Sequence, residues 1–273
     1  MRLLFVGDIV GKPGRDIVRR AVPLLTREHG IDLVVANAEN AAGGFGITRE
    51  TGEAILGSGV HVMTSGNHIW DKKEALEYIA LEPRLLRPLN YPPGAPGAGV
   101  GVVATAGGQL VGIVNVMGRV HMPLVDDPFP ATLRAVEDVR RQTPIVIVDF
   151  HAEVTSEKVA MGWYLDGRAT AVIGTHTHVQ TADDQVLPGG TAYITDVGMT
   201  GPHDSVIGVE KEAALGRFLT GLPARFETAT GAPRLNAVLI DADAGTGRAT
   251  AITRLSLSPE NLVSLATPAS EPG

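Results

Sequence analysis

An α/β fold follows from two features of the chain. Over the first two thirds, short β-branched runs alternate with amphipathic helical stretches, the pattern of βαβ units rather than of an all-α or all-β protein. Five of those runs end in clusters of Asp, Glu, Asn and His, the place where α/β sheets gather their functional groups.

Leu3–Val6 is the first strand. A helix follows over Gly14–His29, with Ile17, Val18, Val22, Leu24 and Leu25 set among Arg15, Arg19 and Arg20, and Gly30 stops it. Ile31–Ala36 is the second strand. Thr48, with Glu50 and Thr51 close behind, opens a helix that Gly57 and Gly59 close ahead of a third strand, Val60–Thr64. Another helix runs from Asp71 to Leu81.

No charge occurs between Arg87 and Arg119, yet Pro92, Pro93 and Pro96 and the Gly107-Gly108 pair break the stretch into Val100–Thr105 and Leu110–Val116. That reads as a β-hairpin and not as a membrane span. A helix around Ala131–Arg141 leads to a buried strand, Ile145–Val148, and a helix over Glu153–Leu165 leads to strands at Thr170–Ile173 and Thr191–Ile194. Glu210–Leu219 is helical, and Leu235–Asp241 and Ala249–Leu257 close the fold as a β pair around the Asp243–Gly247 turn. With no repeat and no linker, residues 1–258 are expected to form one domain and residues 259–273 a flexible C-terminal tail.

Composition narrows the function. Of 273 residues, 44% are hydrophobic and 19% charged, with mean hydropathy +0.12, so the chain is globular and not disordered. A net charge of −7 excludes broad nucleic-acid binding, which needs a basic surface, but leaves room for a nucleotide held in a pocket. Cys is absent, which removes disulfides, thiolate nucleophiles, iron–sulfur clusters and cysteine zinc sites, so any metal must be held by O and N. Four apolar residues before Gly7 and Asp8 are too few for a signal-peptide core, so a cytoplasmic location without a membrane span is expected.

The five polar clusters carry the chemistry: Gly7-Asp8, Asn37-Ala38-Glu39-Asn40, Gly66-Asn67-His68, Asp149-Phe150-His151 and Gly174-Thr175-His176-Thr177-His178. On the carboxyl edge of one open sheet they would share a single crevice. Carboxylates, carboxamides and imidazoles without thiolates suit hard or borderline divalent metals. So many donors over-supply one ion and suit two, about 3.5–4 Å apart with a bridging carboxylate, as in phosphoryl-transfer sites. At a strand-to-loop corner the imidazoles of His176 and His178 can diverge onto neighbouring ions.

Each residue also has a plainer reading. Asp8 alone could be a helix N-cap, and a lone buried His is more often a satisfied core residue; it is the joint pattern that favours ligation. His29 beside Gly30 and His61 within a strand read as structural, and His121 and His203 as solvent-exposed loop residues. Thr200, Gly201 and His203 are weak substrate-contact candidates, with Pro202 shaping the same rim. The Gly11–Gly14 and Gly43–Gly46 segments read as turns rather than phosphate cradles. A nucleotide-binding Rossmann enzyme is excluded: Gly7, Gly11 and Gly14 do not space as G-x-G-x-x-G, and no Walker Gly-Lys-Ser/Thr occurs.

The GNH element (Gly66-Asn67-His68), the lone strand-end His151 and the paired-His element (Thr175-His176-Thr177-His178) resemble the calcineurin-like metallophosphoesterases over residues 1–210. Two positions depart from that pattern: Asp8-Ile9-Val10 stands for the usual Asp-x-His, and Glu39 for the usual bridging Asp. Those departures, the Asn-Ala-Glu-Asn run, the GDIVGKPGR opening and the Asp196–Gly208 segment resemble the bacterial YmdB-like phosphodiesterases.

The resemblance implies a metallophosphoesterase sandwich, two central mixed β-sheets flanked by helices. It implies that Asp8, Glu39, Asn40 and His178 hold one metal and that Glu39, Asn67, His151 and His176 hold a second, with iron or manganese the favoured ions and zinc admitted by the donor set. His68 is implied as the general acid, for which imidazole suits. The expected reaction is in-line attack of a metal-bridging hydroxide on a cyclic nucleotide, 2',3' first and 3',5' second. Two divalent ions, less Asp8, Glu39 and the hydroxide, leave about one positive charge, which matches a diester monoanion. A phosphomonoesterase and a metal-binding regulatory protein with little catalysis are the alternatives. The expected partner is a small cyclic-nucleotide or other phosphodiester substrate, with a homo-oligomer as the default assembly.

Overall fold

The computed structural model describes residues 1–266. Strands β1 (Arg2–Val6), β2 (Leu33–Asn37) and β3 (Val62–Thr64) run parallel in a first sheet. The last two long strands, β11 (Pro233–Ala242) and β12 (Ala249–Leu257), join it antiparallel beyond β1, and the two-residue β10 (Gly201–Pro202) pairs with β11. A second sheet is ordered β4 (Val100–Ala104), β5 (Leu110–Met117), β6 (Val146–His151), β7 (Ala171–Thr175), β9 (Ala192–Ile194), β8 (Gln185–Val186), and β4–β5 form the hairpin its turn glycines demand. Both sheets are mixed, and helices flank them on their outer faces.

Alternation along the strands builds the layers, because neighbouring side chains face opposite ways. Leu3, Phe5, Leu33 and Val35 of the first sheet pack between the sheets with Val111, Ile113, Ile147, Ile173 and Ile194 of the second. Their neighbours Leu4, Val6, Val34 and Ala36 turn outward onto Ile17, Val18, Val22 and Leu25 of α1 (Gly11–His29). On the far side Val114, Val146, Val148 and Val172 meet Val136 and Val139 of α4 (Pro128–Arg140) and Met161 of α5 (Thr155–Tyr164). Helix α2 (Arg49–Leu56) has the anticipated Thr48 cap, its hydroxyl accepting the Thr51 amide, and α3 (Ala75–Leu81) and α6 (Lys211–Thr220) complete the set before the C-terminal segment.

Three expectations change. The five polar clusters do not share one sheet edge: β1, β2 and β3 carry three, and β6 and β7 carry two from the other sheet. Strand β6 continues through Asp149 to His151, so Asp149 is fully buried inside the sheet and not at a loop start. Residues 259–266 are not a loose tail but helix α7 (Pro259–Ala266), whose Leu262 is buried in the outer core alongside α1; residues 267–273 of that expected tail lie outside the described residues. Among the described residues no helix is long and apolar enough to cross a membrane.

Candidate metal centre

The carboxyl ends of β1, β2, β3, β6 and β7 meet where the two sheets face each other, and the seven predicted donors meet there. Asn37 turns the chain after β2: its side-chain oxygen accepts the Glu39 amide at 3.1 Å, a local turn that aims Glu39 back over the sheet edge. Glu39 Oε1 lies 3.1 Å from His151 Nε2 and accepts from Asn40 Nδ2 at 3.2 Å, while its Oε2 accepts the His68 amide at 3.0 Å. His151 Nε2 is also 3.0 Å from Asn67 Oδ1 and 3.1 Å from His176 Nδ1. Asn40 Nδ2 stands 3.2 Å from His178 Nε2, and Asp8 Oδ2 accepts the His176 amide at 3.4 Å. Donor atoms of Glu39, His151 and His176 all fall within 4.8 Å of one another.

Gly66 is required by this packing. A Cβ at that position would be driven into the imidazole of His151, so only glycine lets the end of β3 approach β6 this closely.

The three imidazoles share one arrangement. Each has one ring nitrogen tied to an acceptor outside the cluster and presents the other to it, the way second partners orient metal-binding histidines. His151 Nδ1 donates to Thr175 Oγ1 at 2.8 Å, and that hydroxyl donates on to Asp149 Oδ1 at 2.7 Å. Asn37 Nδ2 reaches the other Asp149 oxygen at 3.1 Å, joining β2 of one sheet to β6 of the other. His176 Nε2 sits 3.0 Å from Glu153 Oε2, and His178 Nδ1 donates to the Ile207 carbonyl at 2.8 Å.

His176 and His178 occupy left-handed backbone, φ 100° and 67°, which costs a non-glycine residue on the order of 1 kcal/mol or more. Thr177 between them anchors the corner: its amide and its hydroxyl both donate to Asp196 Oδ2, at 3.0 and 2.6 Å.

Burial and the mutual attraction of Glu39 and His151 set the protonation of the centre. Burial raises the Asp8 carboxyl above its ordinary pKa and pushes Asp149 up to about 7. Burial also acts to raise Glu39, but the adjacent His151 outweighs it and brings Glu39 down to about 2; burial acts to lower His151, and Glu39 brings it up to about 9. Burial and the nearby His151 press His176 down to about 3, which keeps it a neutral donor. Asp8 Oδ1 and Asn40 Oδ1 are buried with no hydrogen-bond partner, an arrangement costly unless something else meets them. Imidazole nitrogens aimed inward, carboxylates and orphaned oxygens are a donor set that fits divalent cations.

His68 stands apart from these donors. Its Nδ1 is 2.8 Å from Asp71 Oδ2, and its ring meets Phe45 edge-on at 5.1 Å between centroids. A cavity of about 300 Å³ opens over the centre, with Glu39, Asn40, His68, His176 and His178 at its polar end.

Thr200, Gly201 and His203 do not line this cavity. Thr200 is buried, its hydroxyl donating to the Asn236 carbonyl at 2.9 Å, and Gly201 belongs to β10. His203 is half-buried and not solvent-exposed as expected, because its Nδ1 donates to the Gly201 carbonyl at 3.0 Å while Nε2 lies 3.3 Å from Asn236 Nδ2. His121 is exposed, and His61 abuts β3 with its ring bonded to the β2 backbone.

Sequence reasoning missed Asp71, Glu153, Lys158 and Asp196. Lys158 did carry a signal: it shares a helical face with Met161 and Leu165, so burial with an acidic partner was foreseeable. Asp71, three residues after His68, carried a weaker one, and Glu153 none.

Residues 4–255 match the protein family described as YmdB-like protein. The chain is 47% identical over 262 residues to a Bacillus subtilis (strain 168) protein named 2',3'-cyclic-nucleotide 2'-phosphodiesterase, covering 96% of this chain and 99% of the relative. The crystal structure of a hypothetical protein from Thermus thermophilus superposes with TM-score 0.88 at 45% identity, covering 94% of this chain and 99% of that one. That of a Mycoplasma pneumoniae phosphatase does so with TM-score 0.88 at 35% identity, covering 96% of each chain.

Proposed function

The chain belongs to the YmdB-like family, and from that premise we propose that it is a metal-dependent phosphoric diester hydrolase acting on 2',3'-cyclic nucleotides, with 3',5'-cyclic nucleotides as secondary substrates. The observation that carries this reading is the convergence of seven O and N donors from both sheets around two buried, unpartnered oxygens, Asp8 Oδ1 and Asn40 Oδ1. Asp8, Glu39, Asn40 and His178 would hold one ion, and Glu39, Asn67, His151 and His176 the other, with iron or manganese the ions the family resemblance favours and zinc admitted by the donor set. Bound there, the ions supply an activated water and positive charge for the phosphoryl oxygens.

The protein's own groups do the rest. His68, held by Asp71 at Nδ1, presents Nε2 to protonate the leaving ribose oxygen. Among the described residues none that lines the cavity is Lys or Arg, and Glu153 adds a carboxylate at its wall. A dianionic monoester would lack the extra cation it needs, whereas a diester monoanion asks for less positive charge. The activity for which the Bacillus subtilis relative is named supports the same substrate.

The test is hydrolysis of 2',3'-cyclic AMP by Mn-reconstituted wild type and Asn67→Ala in parallel. Metal-dependent turnover by the wild type, absent from a folded Asn67→Ala, is expected. A wild type carrying two metals yet inactive on this diester and on aryl diesters would sink the reading in favour of a regulatory metalloprotein.

A further inference from the structure

The cavity over the metal centre has two unlike halves. Its polar half is the centre itself, with His68; its other half is walled by Val10, Phe45, Ile207, Val209 and Phe226. The chain has 6 Phe in 273 residues, and two of them line this one cavity. Its volume, about 300 Å³, sits at the low end of small-molecule sites, roughly 300–1,000 Å³, which suits a mononucleotide and not a polymer.

Most polar side chains of the lining are already engaged, and the unpartnered Asn40 Oδ1 belongs to the metal end of the cavity. Glu153 is held by His176, the Thr177 hydroxyl by Asp196, and Asn40 by Glu39 and His178. Among the described residues the apolar half presents no polar side chain to read the hydrogen-bonding edge of a base. Phe226 is held from outside by Arg217, whose guanidinium carbon lies 5.3 Å from its ring centroid. Phe45 touches the His68 ring, so the aromatic wall begins beside the proton donor.

Resting on the phosphodiesterase reading above, we propose that the apolar half is a nucleobase subsite that grips the base by stacking and burial on Phe226 and Phe45. A cyclic nucleotide spans both halves: phosphoryl group at the centre, ribose between, base against the aromatics. Stacking is indifferent to edge chemistry because every base has a π-face, whereas a site that pairs with a base edge discriminates steeply. Adenine and guanine are therefore accepted about equally, and the larger purines are preferred to pyrimidines.

Phe226 is the position to test, since Phe45 also touches His68. The kcat/KM values of wild type, Phe226→Ala and Phe226→Trp are compared on 2',3'-cyclic AMP, GMP and CMP and on the base-free methyl riboside 2,3-cyclic phosphate. The wild type is expected to favour cyclic AMP over the base-free diester by roughly tenfold or more, with AMP and GMP within about threefold of each other. Phe226→Ala should reduce that preference by roughly tenfold, chiefly through KM, and Phe226→Trp should restore it. A preference unchanged in Phe226→Ala, or a strong bias between adenine and guanine, overturns the subsite. Failure of the phosphodiesterase reading looks different: no turnover of any diester. Adenosine binding by NMR then decides the subsite, supported if binding is lost in Phe226→Ala and overturned if the wild type does not bind or both bind alike.

Discussion

Lys158 Nζ donates to Asp196 Oδ2 at 2.7 Å with both side chains sealed from solvent, and that same oxygen receives the amide and hydroxyl of Thr177. A buried ion pair on α5 and the loop after β9 thus holds the strained corner that displays His176 and His178. Lys158→Met removes the countercharge and leaves Asp196 buried and unpaired. The expected cost is about 3–5 kcal/mol in urea unfolding, with weaker metal retention in the fraction that stays folded. Unchanged stability and metal content would show that the pair does not hold the corner.

Gly66→Ala should fold, because one added methyl costs about 1–3 kcal/mol where packing is tight. The methyl must displace the His151 ring, so metal affinity measured by chelator competition is expected to fall at least tenfold. Wild-type affinity in this variant would show that the ring can move without consequence.

His68→Ala should retain metal and lose turnover by roughly 10²–10⁴-fold on a cyclic nucleotide, whose ribose alkoxide needs a proton to leave. The loss should be much smaller on a p-nitrophenyl diester, whose phenolate needs none. Asp71→Asn should show the same leaving-group pattern at about a tenth of the size, as expected of a group acting through the His68 ring. Equal losses on both substrates would point to a binding role for His68 instead.

His61 gives a pH prediction remote from the centre. Burial lowers its pKa below the ordinary imidazole value, and its Nδ1 accepts the Val34 amide at 3.0 Å, a bond only the unprotonated nitrogen can take. The folded pKa lies below the unfolded one, near 6.5, so the unfolded chain binds the extra proton as the medium acidifies. The stabilisation is complete above pH 6.5 and lost as pH falls from there through the folded pKa. Urea midpoints of wild type and His61→Leu should therefore draw together between pH 7.5 and pH 5.5, and the His61 resonances should titrate below 6.5. A constant gap would rule this linkage out.

The centre was legible in sequence because its donors follow strands directly: Asn37-Ala38-Glu39-Asn40 after β2 and Thr175–His178 after β7 announce themselves by position. The layers were not legible in the central strands, because β2, β6 and β7 are buried on both faces and show no polar alternation. Nor was the sheet that each strand joins, because β2 and β6 are equally buried and only the tertiary pairing separates them. The two-residue strands β8 and β10 are too short to show any period. The supports of the histidines escaped notice for another reason. Glu153, Asp196 and Ile207 act through distance in space, with no spacing in the chain that ties them to their partners.

The division of the centre between two sheets bears on how the molecule is assembled. Before the sheets dock, one half owns Asp8, Glu39, Asn40 and Asn67 and the other owns His151, His176 and His178, and neither holds a complete set of donors. Tight ion capture would thereby be reserved for chains whose halves have met in the right register, and an ion held there would clamp that register by mass action. Such a metal would serve as a latch on completed folding, and a chain starved of it should part along the seam between the sheets before either sheet frays.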